Sequence, residues 1–290
     1  MTEEKPLVSV LLPTYNGLSR GVRQAIESVL EQDYENFELI VIDDGSTDGT
    51  FKFVAENGDG RIKTLRNRQN RGIAHALNKG LKSAGGKYIA RIDDDDYYCR
   101  SNKISRQVGF LERNGEYVGV GCFVYDDDGN RLKETTWPVN DEEIRRRFPR
   151  SPICHATMMF RREVLERAKK LYEPYARCED LELKMFLATK GKLFNIPEYL
   201  YVRRRIHKPC RGHRKSTFVN TLRIMLKYRN QLGFRTVDFL CEIPFYVIAS
   251  LFERLVPTGF KPSFKKVIVR LLRNFQRLHM LSTLNPLPSH

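Results

Sequence analysis

Cysteine pairs, a secretory leader and a long apolar stretch are all missing from this sequence of 290 residues. The six cysteines, at positions 99, 122, 154, 178, 210 and 241, form no Cys-x-x-Cys pair, which argues against a zinc site and a disulfide framework. We therefore expect a reducing cytoplasm, with most of these cysteines acting as small buried apolar groups. The short, charged residues 1–6 precede the first apolar run, so we expect no secretory signal.

A membrane-spanning helix is also not expected. The longest charge-free run in the apolar C-terminal part, residues 243–252, is too short for a bilayer, which requires about 20 apolar residues. The sequence has no internal repeat and no low-complexity linker. Hydrophobic residues make up 41% of the chain, enough for one large domain or for a domain with an appendage.

Charge is unevenly distributed along the chain. The net charge of +15 arises from residues 201–290, where 18 Lys and Arg face three acidic residues, whereas residues 1–200 are neutral. This asymmetry predicts a catalytic domain, residues 1–205, followed by a basic helical tail, residues 206–290. The tail is expected to meet a polyanion, which could be an anionic membrane surface, a nucleic acid or a phosphorylated substrate.

Residues 264–281 in the tail show the clearest amphipathic pattern, with apolar residues on one face and Lys and Arg on the others. Such a helix can lie in a membrane interface, or it can pack on the protein and leave its basic face in water. The charge asymmetry favours membrane contact. We therefore expect a cytoplasmic protein with peripheral contact at the cytoplasmic face of the membrane.

Strand-like apolar runs alternate with helical stripes in the N-terminal part. We expect Pro13 to end the first strand. The predicted strands are residues 7–12, 37–42, 61–65, 87–92, 117–125, 154–160 and 192–202. Helices are predicted between the first four strands, at 101–113, from Glu179, and through Phe218, Leu222 and Met225. This alternation predicts an α/β fold with a mostly parallel sheet flanked by helices.

Acidic residues follow two of these strands. Asp43 and Asp44 close the second strand, and the run 93–96 of four aspartates closes the fourth. Ligands bind at this carboxyl edge in open α/β sheets. Adjacent carboxylates repel one another unless a cation lies among them, and their oxygens suit Mg²⁺, Ca²⁺ or Mn²⁺. The acidic run 126–130, by contrast, predicts a hairpin turn because it contains Asp-Gly.

Five motifs occur in order along the chain: LPTYN from Leu12, VIDDGSTD from Val41, NRGIA from Asn70, IDDDD from Ile92 and EDLEL from Glu179. Their order and spacing resemble glycosyltransferase family 2 over roughly residues 6–205. The resemblance implies a GT-A fold, with a single nucleotide-sugar domain on a mainly parallel, Rossmann-like sheet. It also implies transfer of a sugar from a nucleotide donor to an acceptor hydroxyl with inversion.

The resemblance assigns the nucleotide side of a site. Pro13 and Tyr15 would lie against the base, although Tyr15 could instead only cap the core. Asp44 would accept a hydrogen bond from the base, although the 43–46 segment could be no more than a helix-capping turn. Arg71 would pair with phosphate or base, unless it is a solvated residue at a helix start.

The aspartate run resembles the Asp-x-Asp element of the family. Asp93 would face the ribose, and Asp95 would ligate a divalent metal, Mn²⁺ or Mg²⁺, that bridges the donor diphosphate. Most family members have a small residue where Asp94 stands, so this extra carboxylate leaves the exact ligand set open. A solvated acidic loop is the alternative.

Asp180 matches the carboxylate that family members use as general base. We expect Glu179 to assist in the substrate site by raising the pKa of Asp180 through like-charge repulsion. His207 would be a further metal ligand or a phosphate donor. The arginines of residues 203–215 could bind the donor diphosphate, a lipid-linked diphosphate acceptor or membrane head groups.

Three functions remain to be compared. The first is a metal-dependent inverting glycosyltransferase with a UDP-sugar donor and a lipid-linked or polysaccharide acceptor. The second, a sugar nucleotidyltransferase, usually has a glycine-rich loop after its first strand, where this chain has Pro13–Gly17. The third, a non-catalytic basic module for membrane or nucleic acid, does not account for the neutral residues 1–200. The first function is therefore expected, with no nucleic-acid partner.

Overall fold

The computed structural model describes residues 5–175, 178–205 and 214–235. The chain divides into two units, residues 1–211 and 212–290. The described part of the second unit contains two helices, α8 (Arg214–Lys227) and α9 (Arg229–Leu232). Helix α8 contains the helical stripe predicted through Met225. The predicted amphipathic segment 264–281 and His207 lie outside the described residues.

Four parallel strands form the N-terminal half of the sheet in the first unit. They stand in the order β3-β2-β1-β4, as the alternation of apolar runs predicts. These strands are β1 (Val8–Thr14), β2 (Phe37–Asp43), β3 (Ile62–Arg66) and β4 (Tyr88–Arg91). Their connecting helices are α1 (Val22–Leu30), α2 (Thr50–Ala55) and α3 (Ile73–Ser83). Every residue of β1 is buried, which is expected for a central strand covered on both faces.

Strand β1 continues through Pro13, although we expected the proline to end it. The carbonyl of Leu11 accepts from Ile92 N on the β4 side, and that of Thr14 accepts from Asp44 N on the β2 side. Alternation along the strand therefore turns Pro13 towards β4, and β4 has already ended at Arg91. Its missing N–H costs no ladder hydrogen bond there, so the strand can extend to the ligand edge.

The sheet continues in the order β4-β8-β6-β9-β5, and β7 pairs with β6. Strands β6 and β9 are parallel, whereas β8 is antiparallel to both of its neighbours. These elements are β5 (Tyr97–Tyr98), α4 (Lys103–Arg113), β6 (Tyr117–Asp127), β7 (Leu132–Thr135), α5 (Asp141–Arg147), β8 (Met159–Arg161), α6 (Arg162–Arg167), α7 (Glu179–Ala188) and β9 (Lys192–Arg204). The fold is thus α/β, with a parallel first half and a mixed second half.

The predicted hairpin at residues 126–130 is confirmed. Strands β6 and β7 pair as a hairpin, and the Asp128 carboxylate accepts from the main-chain N–H groups of Asn130 and Arg131. The strand predicted over residues 154–160 is wrong in its first half, where His155–Thr157 form a 3₁₀ turn. Thr157 Oγ1 donates to Cys154 O at 2.8 Å, and such a local side-chain bond competes with a strand ladder.

None of the helices in the described ranges combines the length and the apolar character that a bilayer crossing requires.

Lys103 is a fully buried cation at the start of α4. Its ammonium donates to Gln107 Oε1 at 2.8 Å and lies 4.1 Å from the centre of the Tyr98 ring. Burial lowers the pKa of Lys103 to about 8, although the thiols of Cys122, Cys154 and Cys99 act in the opposite direction. The folded chain therefore loses this proton at a lower pH than the unfolded chain.

We expect Lys103 to make the protein more stable as the pH rises above 8. In the unfolded chain the pKa of Lys103 returns to 10.5, so the unfolded state binds more protons between these pH values. Between pH 7.5 and 9.5 the wild type should gain about 1.5 kcal/mol in unfolding free energy relative to Lys103→Met. Urea unfolding of both proteins at the two pH values measures the difference. Equal changes in the two proteins would contradict this account.

Candidate active site

A cleft of about 200 Å³ opens at the carboxyl ends of β1, β2 and β4. It brings together five of the residues predicted for the nucleotide side, although they are spread over some 80 positions. Its lining residues are Pro13, Thr14, Tyr15, Arg20, Asp44, Asn70, Gly72, Ile73, Ala76, Asp93 and Asp94. Because the cleft lies where ligands bind in α/β sheets, it is the candidate active site.

Asp44 is buried and anchors one wall of the cleft. Its carboxylate accepts from the main-chain N–H groups of Arg71 and Gly72 at 3.0 and 2.8 Å, and from Asn67 Nδ2 at 2.7 Å. The Asn67 amide is held in turn by His75 and Lys79 on α3. Asp44 therefore fixes the start of α3, and it also lines the cleft.

Glycine at position 45 lets this wall close on Asp44. Gly45 has φ of +82°, and a Cβ there would lie 2.7 Å from the main chain of Gln69. Only glycine meets both requirements, so the turn after β2 can pack directly on the 69–70 segment. Asp43 and Asp48 have local roles: Asp43 accepts from Ser46 N, and Asp48 accepts from Thr50 N.

Two large apolar side chains are exposed in the cleft. Tyr15 is 42% and Ile73 41% accessible to solvent, and both line the cleft. Such surfaces can hold a flat ring between them, which is the contact predicted for a nucleobase. The Arg71 side chain is exposed and outside the cleft lining, so it reaches Asp44 only through its main-chain N–H. The role of its guanidinium stays a prediction.

We expect Asp44→Ala to weaken UDP binding by at least tenfold. The change removes the acceptor that fixes Arg71, Gly72 and Asn67, so the wall of the cleft loses its anchor, and three polar donors lose a partner. Isothermal titration of UDP into both proteins measures the loss.

Asp59→Ala is the matched control for this measurement. Asp59 also accepts from a nearby main-chain N–H, that of Arg61, but it does not line the cleft. We expect its affinity for UDP to stay within twofold of the wild type. Equal affinities for wild type and Asp44→Ala would exclude Asp44 from nucleotide binding.

The aspartate run divides by alternation into two buried and two more exposed carboxylates. Asp94 and Asp96 are buried, whereas the Asp93 and Asp95 side chains are 37% and 18% exposed. Arg20 joins two of them, since its guanidinium lies 3.0 Å from Asp94 Oδ1 and 2.9 Å from Asp95 Oδ2. Cationic side chains therefore already offset part of the repulsion within the run.

The two buried carboxyls are held by hydroxyl and main-chain donors. Asp94 accepts from Thr14 Oγ1 at 2.8 Å, and Asp96 accepts from Tyr201 OH and Arg204 N, both at 2.8 Å. Burial raises the pKa of Asp94 to about 6, against the opposing effect of Arg20. Burial, with Asp93 and Asp95, raises the pKa of Asp96 to about 8. Asp96 thus supports the loop more than it offers charge to a ligand, and the charge of Asp94 is paired with Arg20.

A divalent metal fits the residues at this edge. Within the described residues no three His, Cys, Asp or Glu side chains are grouped as a metal cage. Mg²⁺ and Mn²⁺ accept carboxylate oxygens, and Mg²⁺ is typically bound by one or two carboxylates together with substrate phosphates. Asp95, with the partly exposed Asp93 beside it, supplies that donor set. The residues present therefore suit a metal that arrives with a phosphorylated ligand.

Asp180 lies in the first turn of α7 and is paired with a buried lysine. Lys184 Nζ donates to Asp180 Oδ2 at 2.8 Å, and the lysine side chain is fully buried. Burial acts to raise the pKa of Asp180, but Lys184 and His155 outweigh it and lower that pKa to about 2. The expectation that Glu179 raises the pKa of Asp180 is therefore wrong, because the lysine one turn along the helix dominates.

The pKa of Glu179 shifts in the opposite direction to that of Asp180. Burial and the neighbouring Asp180 raise its pKa, while Arg91 and Lys184 act against them. Arg91 is fully buried and donates to Asp93 Oδ1 at 2.8 Å. It therefore lies within electrostatic range of both the aspartate run and the start of α7. The structure thus brings Asp93, Glu179 and Asp180 to one region.

A histidine and a tyrosine complete this region. His155 Nε2 is 2.9 Å from Tyr172 OH. The Asn78 side chain holds the main chain of Tyr172, since Asn78 Nδ2 donates to Tyr172 O and Tyr172 N donates to Asn78 Oδ1. Burial, together with Arg91 and Lys184, lowers the pKa of His155 well below its usual value, so the ring is neutral at pH 7. It is a neutral hydrogen-bonding group beside Asp180.

Sequence reasoning missed several residues of this site. Arg20 carries no readable signal, because its partners Asp94 and Asp95 lie 74 and 75 positions away along the chain. Arg91 stands only two residues before its partner Asp93, and His155 pairs with Tyr172 across 17 positions, but no motif marks these three as site residues. Lys184 could have been found, since it stands four residues after Asp180 on a predicted helix, where opposite charges pair.

The fold and the site define a class of enzyme that binds a nucleotide at the carboxyl edge of an α/β sheet and carries acidic groups beside it. The family model described as glycosyl transferase family 2 matches residues 9–168. The chain therefore belongs to glycosyltransferase family 2 and is a glycosyltransferase. This confirms the class of enzyme that the five motifs indicate.

Two relatives illustrate the range of the family. The putative glycosyltransferase EpsE of Bacillus subtilis is 36% identical over 204 residues, which cover 68% of this chain and 72% of that protein. The Escherichia coli protein WfgD, named as a UDP-Glc:alpha-D-GlcNAc-diphosphoundecaprenol beta-1,3-glucosyltransferase, is 43% identical over 108 residues. That match covers 37% of this chain and 42% of WfgD.

Two solved structures share the fold. S. aureus TarS in complex with UDP aligns with a TM-score of 0.65 at 17% identity and covers 95% of this chain and 90% of its own. The mannosyltransferase PcManGT from Pyrobaculum calidifontis, in complex with GDP-Man and Mn²⁺, aligns with a TM-score of 0.64 at 18% identity. That alignment covers 97% of this chain and 88% of PcManGT. At these identities the likeness concerns the fold, which is of the GT-A type.

Proposed function

We propose that this glycosyltransferase transfers a sugar from a UDP-sugar to a hydroxyl of a lipid-linked saccharide, with inversion. The observation that carries the proposal is the pairing of a cleft at the carboxyl edge of the sheet, anchored by Asp44, with a carboxylate, Asp180, in electrostatic range of the same aspartate run. The UDP complex of TarS and the UDP-Glc donor in the name of WfgD support a uridine donor.

Tyr15, Ile73 and Asp44 bind the base in this proposal. The two apolar side chains enclose the ring, and the Asp44 carboxylate, which lines the cleft, accepts an N–H of the base. Arg20, at the mouth of the cleft, faces the diphosphate and can donate to it, since guanidinium pairs well with phosphate. Asp93 faces the ribose side, as the resemblance implies.

Asp180 is the general base. It accepts the proton of the acceptor hydroxyl while that oxygen attacks the anomeric carbon from the face opposite the leaving diphosphate. A single base on that face suits direct displacement and hence inversion. Asp95 would hold the divalent metal, Mn²⁺ or Mg²⁺. When bound, the metal would offset the negative charge that develops on the departing nucleoside diphosphate.

Nucleoside-diphosphate release tests the function. A panel of UDP-, GDP- and dTDP-sugars is incubated with the full chain, Mn²⁺ or Mg²⁺ and a lipid-diphosphate saccharide acceptor. Turnover of one UDP-sugar that depends on the acceptor is the expected result. Turnover of a GDP-sugar alone would overturn the uridine assignment, and turnover of none would overturn the proposed function.

The basic tail, residues 206–290, supports the membrane part of the proposal. Its excess of Lys and Arg would hold the enzyme at an anionic surface that carries a lipid-linked acceptor. We expect the full chain to sediment with vesicles that contain 30 mol% phosphatidylglycerol, and to stay in the supernatant with phosphatidylcholine vesicles or in about 0.5 M NaCl. Equal sedimentation with both vesicle types would contradict electrostatic binding by the tail.

A further inference from the structure

Lys184 has no assigned role, yet its ammonium makes three hydrogen bonds beside Asp180. It lies in the middle of α7 and is fully buried. Its ammonium donates to Asp180 Oδ2 at 2.8 Å, to Ser151 Oγ at 2.5 Å and to Ile153 O at 3.4 Å. An ammonium has three hydrogens, and each has an acceptor here. The group therefore cannot turn away from Asp180 without losing a buried hydrogen bond.

The other end of this arrangement is a strained surface loop. Ser151 is exposed and has φ of +48°, in the left-handed region that a serine adopts only at a cost. It lies between α5 and the 3₁₀ turn that carries His155. Because both Ser151 and Ile153 accept from Lys184, the lysine joins this loop to the first turn of α7.

Lys184 occupies one carboxylate oxygen of Asp180, Oδ2, so the other oxygen, Oδ1, remains for contact with a ligand. Oδ2 is fixed by Lys184, the main-chain N–H of Leu181 also donates to the carboxylate, and among the described residues no side chain donates to Oδ1. The side chain is 33% exposed, so Oδ1 can be reached by a ligand. A base must place its lone pair within hydrogen-bond distance of the proton that it takes, and a shift of 1 Å is enough to slow a reaction about 100-fold.

We propose that Lys184 is a positioning residue, which fixes Oδ2 of Asp180 against the 151–153 loop and thereby presents Oδ1 to the acceptor hydroxyl. This inference rests on the proposed role of Asp180 as the general base. The buried lysine and the strained loop then act together on Asp180, and the acceptor binds on the side of Asp180 that faces solvent.

The charge of Lys184 also sets how Asp180 titrates. The groups that face Asp180 are Lys184 and Glu179 on its own helix, His155 on the 3₁₀ turn and Tyr172 before α7, with Arg91 of β4 behind them. Lys184 is the nearest cation among them, and it lowers the pKa of Asp180. Without it, Asp180 would bind its proton at a higher pH. The acid limb of kcat/KM would then move to higher pH.

The kinetic test uses Lys184→Met, which keeps the length of the side chain and removes the ammonium. With the UDP-sugar that the wild type turns over, we expect kcat at pH 7.5 to fall at least tenfold, the donor KM to stay within twofold, and the acid limb to rise by at least one pH unit. Lys184→Arg keeps the charge, so its acid limb should stay with the wild type. A fall in kcat with no movement of the acid limb would reduce Lys184 to a packing residue and overturn the proposal.

Ser151→Ala provides a variant that cannot unfold the core, because position 151 is exposed. It removes one of the three acceptors of Lys184, and we expect kcat to fall three- to tenfold with an unchanged donor KM. Unchanged kcat would show that the loop does not hold the lysine, which would overturn the link to residues 151–153.

A spectroscopic measurement separates this inference from the proposed function. In full chain labelled with ¹³C at aspartate carboxyl carbons, the Asp180 signal is assigned by its loss in Asp180→Asn. Between pH 4 and 8 it should not titrate in the wild type and should titrate in Lys184→Met. This result is independent of turnover, so the proposed function can fail while the contact between Lys184 and Asp180 is upheld. An Asp180 signal with the same pH dependence in both proteins would overturn the contact itself.

Discussion

Asp180→Asn is expected to lower kcat by about 1000-fold and to destabilise the protein by about 2 kcal/mol. The amide cannot accept the acceptor proton, which explains the first effect. It also leaves the buried Lys184 ammonium without its anion, which explains the second. The cost is below that of a fully buried pair, because Asp180 is a third exposed. Steady-state kinetics and urea unfolding measure the two effects.

The double variant Asp180→Asn with Lys184→Met separates these effects. Removal of the unpaired ammonium should recover most of the lost stability, and activity should stay as low as in Asp180→Asn. Glu179→Gln is the matched single change, and we expect it to lose less than tenfold in kcat. If Glu179→Gln is instead the more damaged enzyme, Glu179 and not Asp180 takes the proton, a role that its raised pKa would allow.

Asp95→Ala is expected to reduce metal-supported turnover by about 100- to 1000-fold, because the proposed metal loses its protein ligand at the leaving diphosphate. Excess EDTA should reduce the wild type to a similar level, and the variant should respond to neither EDTA nor added Mn²⁺. Nucleoside-diphosphate release at a series of Mn²⁺ concentrations measures this. UDP affinity in EDTA should match between the two proteins, since the cleft itself is intact.

Asp128→Ala is the control for general effects of removing an aspartate. Asp128 stands in the β6–β7 hairpin turn and does not line the cleft, so we expect full activity. If Asp95→Ala retains turnover that depends on Mn²⁺, then Asp93 or Asp94 binds the metal. Asp95 would then be excluded from the ligand set that the sequence left open.

The parallel half of the sheet could be predicted because β1 and β2 are mostly apolar runs followed by polar turns, and helical stripes separate the four strands. Leu39–Ile42 is buried throughout, which a continuous apolar run indicates. The 3₁₀ turn at His155 could not be predicted in this way. Its three residues closely precede the apolar start of β8, so the sequence does not separate them from that strand, and the hydroxyl bond from Thr157 favours the turn.

The candidate site, like the sheet, could be predicted from the sequence only in part. Motifs locate carboxylates at an edge of the sheet, and the structure brings Asp44 and Asp93 to one cleft. Motifs do not show which cation reaches which carboxylate. Arg20 pairs with Asp94 across 74 positions of the chain, and that contact depends on the parallel pairing of β1 with β4. The pKa of Asp180 differs from these cases, since its dominant neighbour Lys184 stands one helical turn away along the sequence and could have been found there.

The two arginines at the aspartate run also bear on how the protein can be made and stored. Arg20 reaches the run from the loop after β1, and Arg91 reaches it from β4, so the chain brings its own counter-charges to four consecutive acids. Assembly of this edge does not have to wait for an ion or a substrate. Newly synthesised chains can fold in a cell short of manganese, and protein purified in chelating buffer should keep its melting temperature and recover turnover when metal is returned.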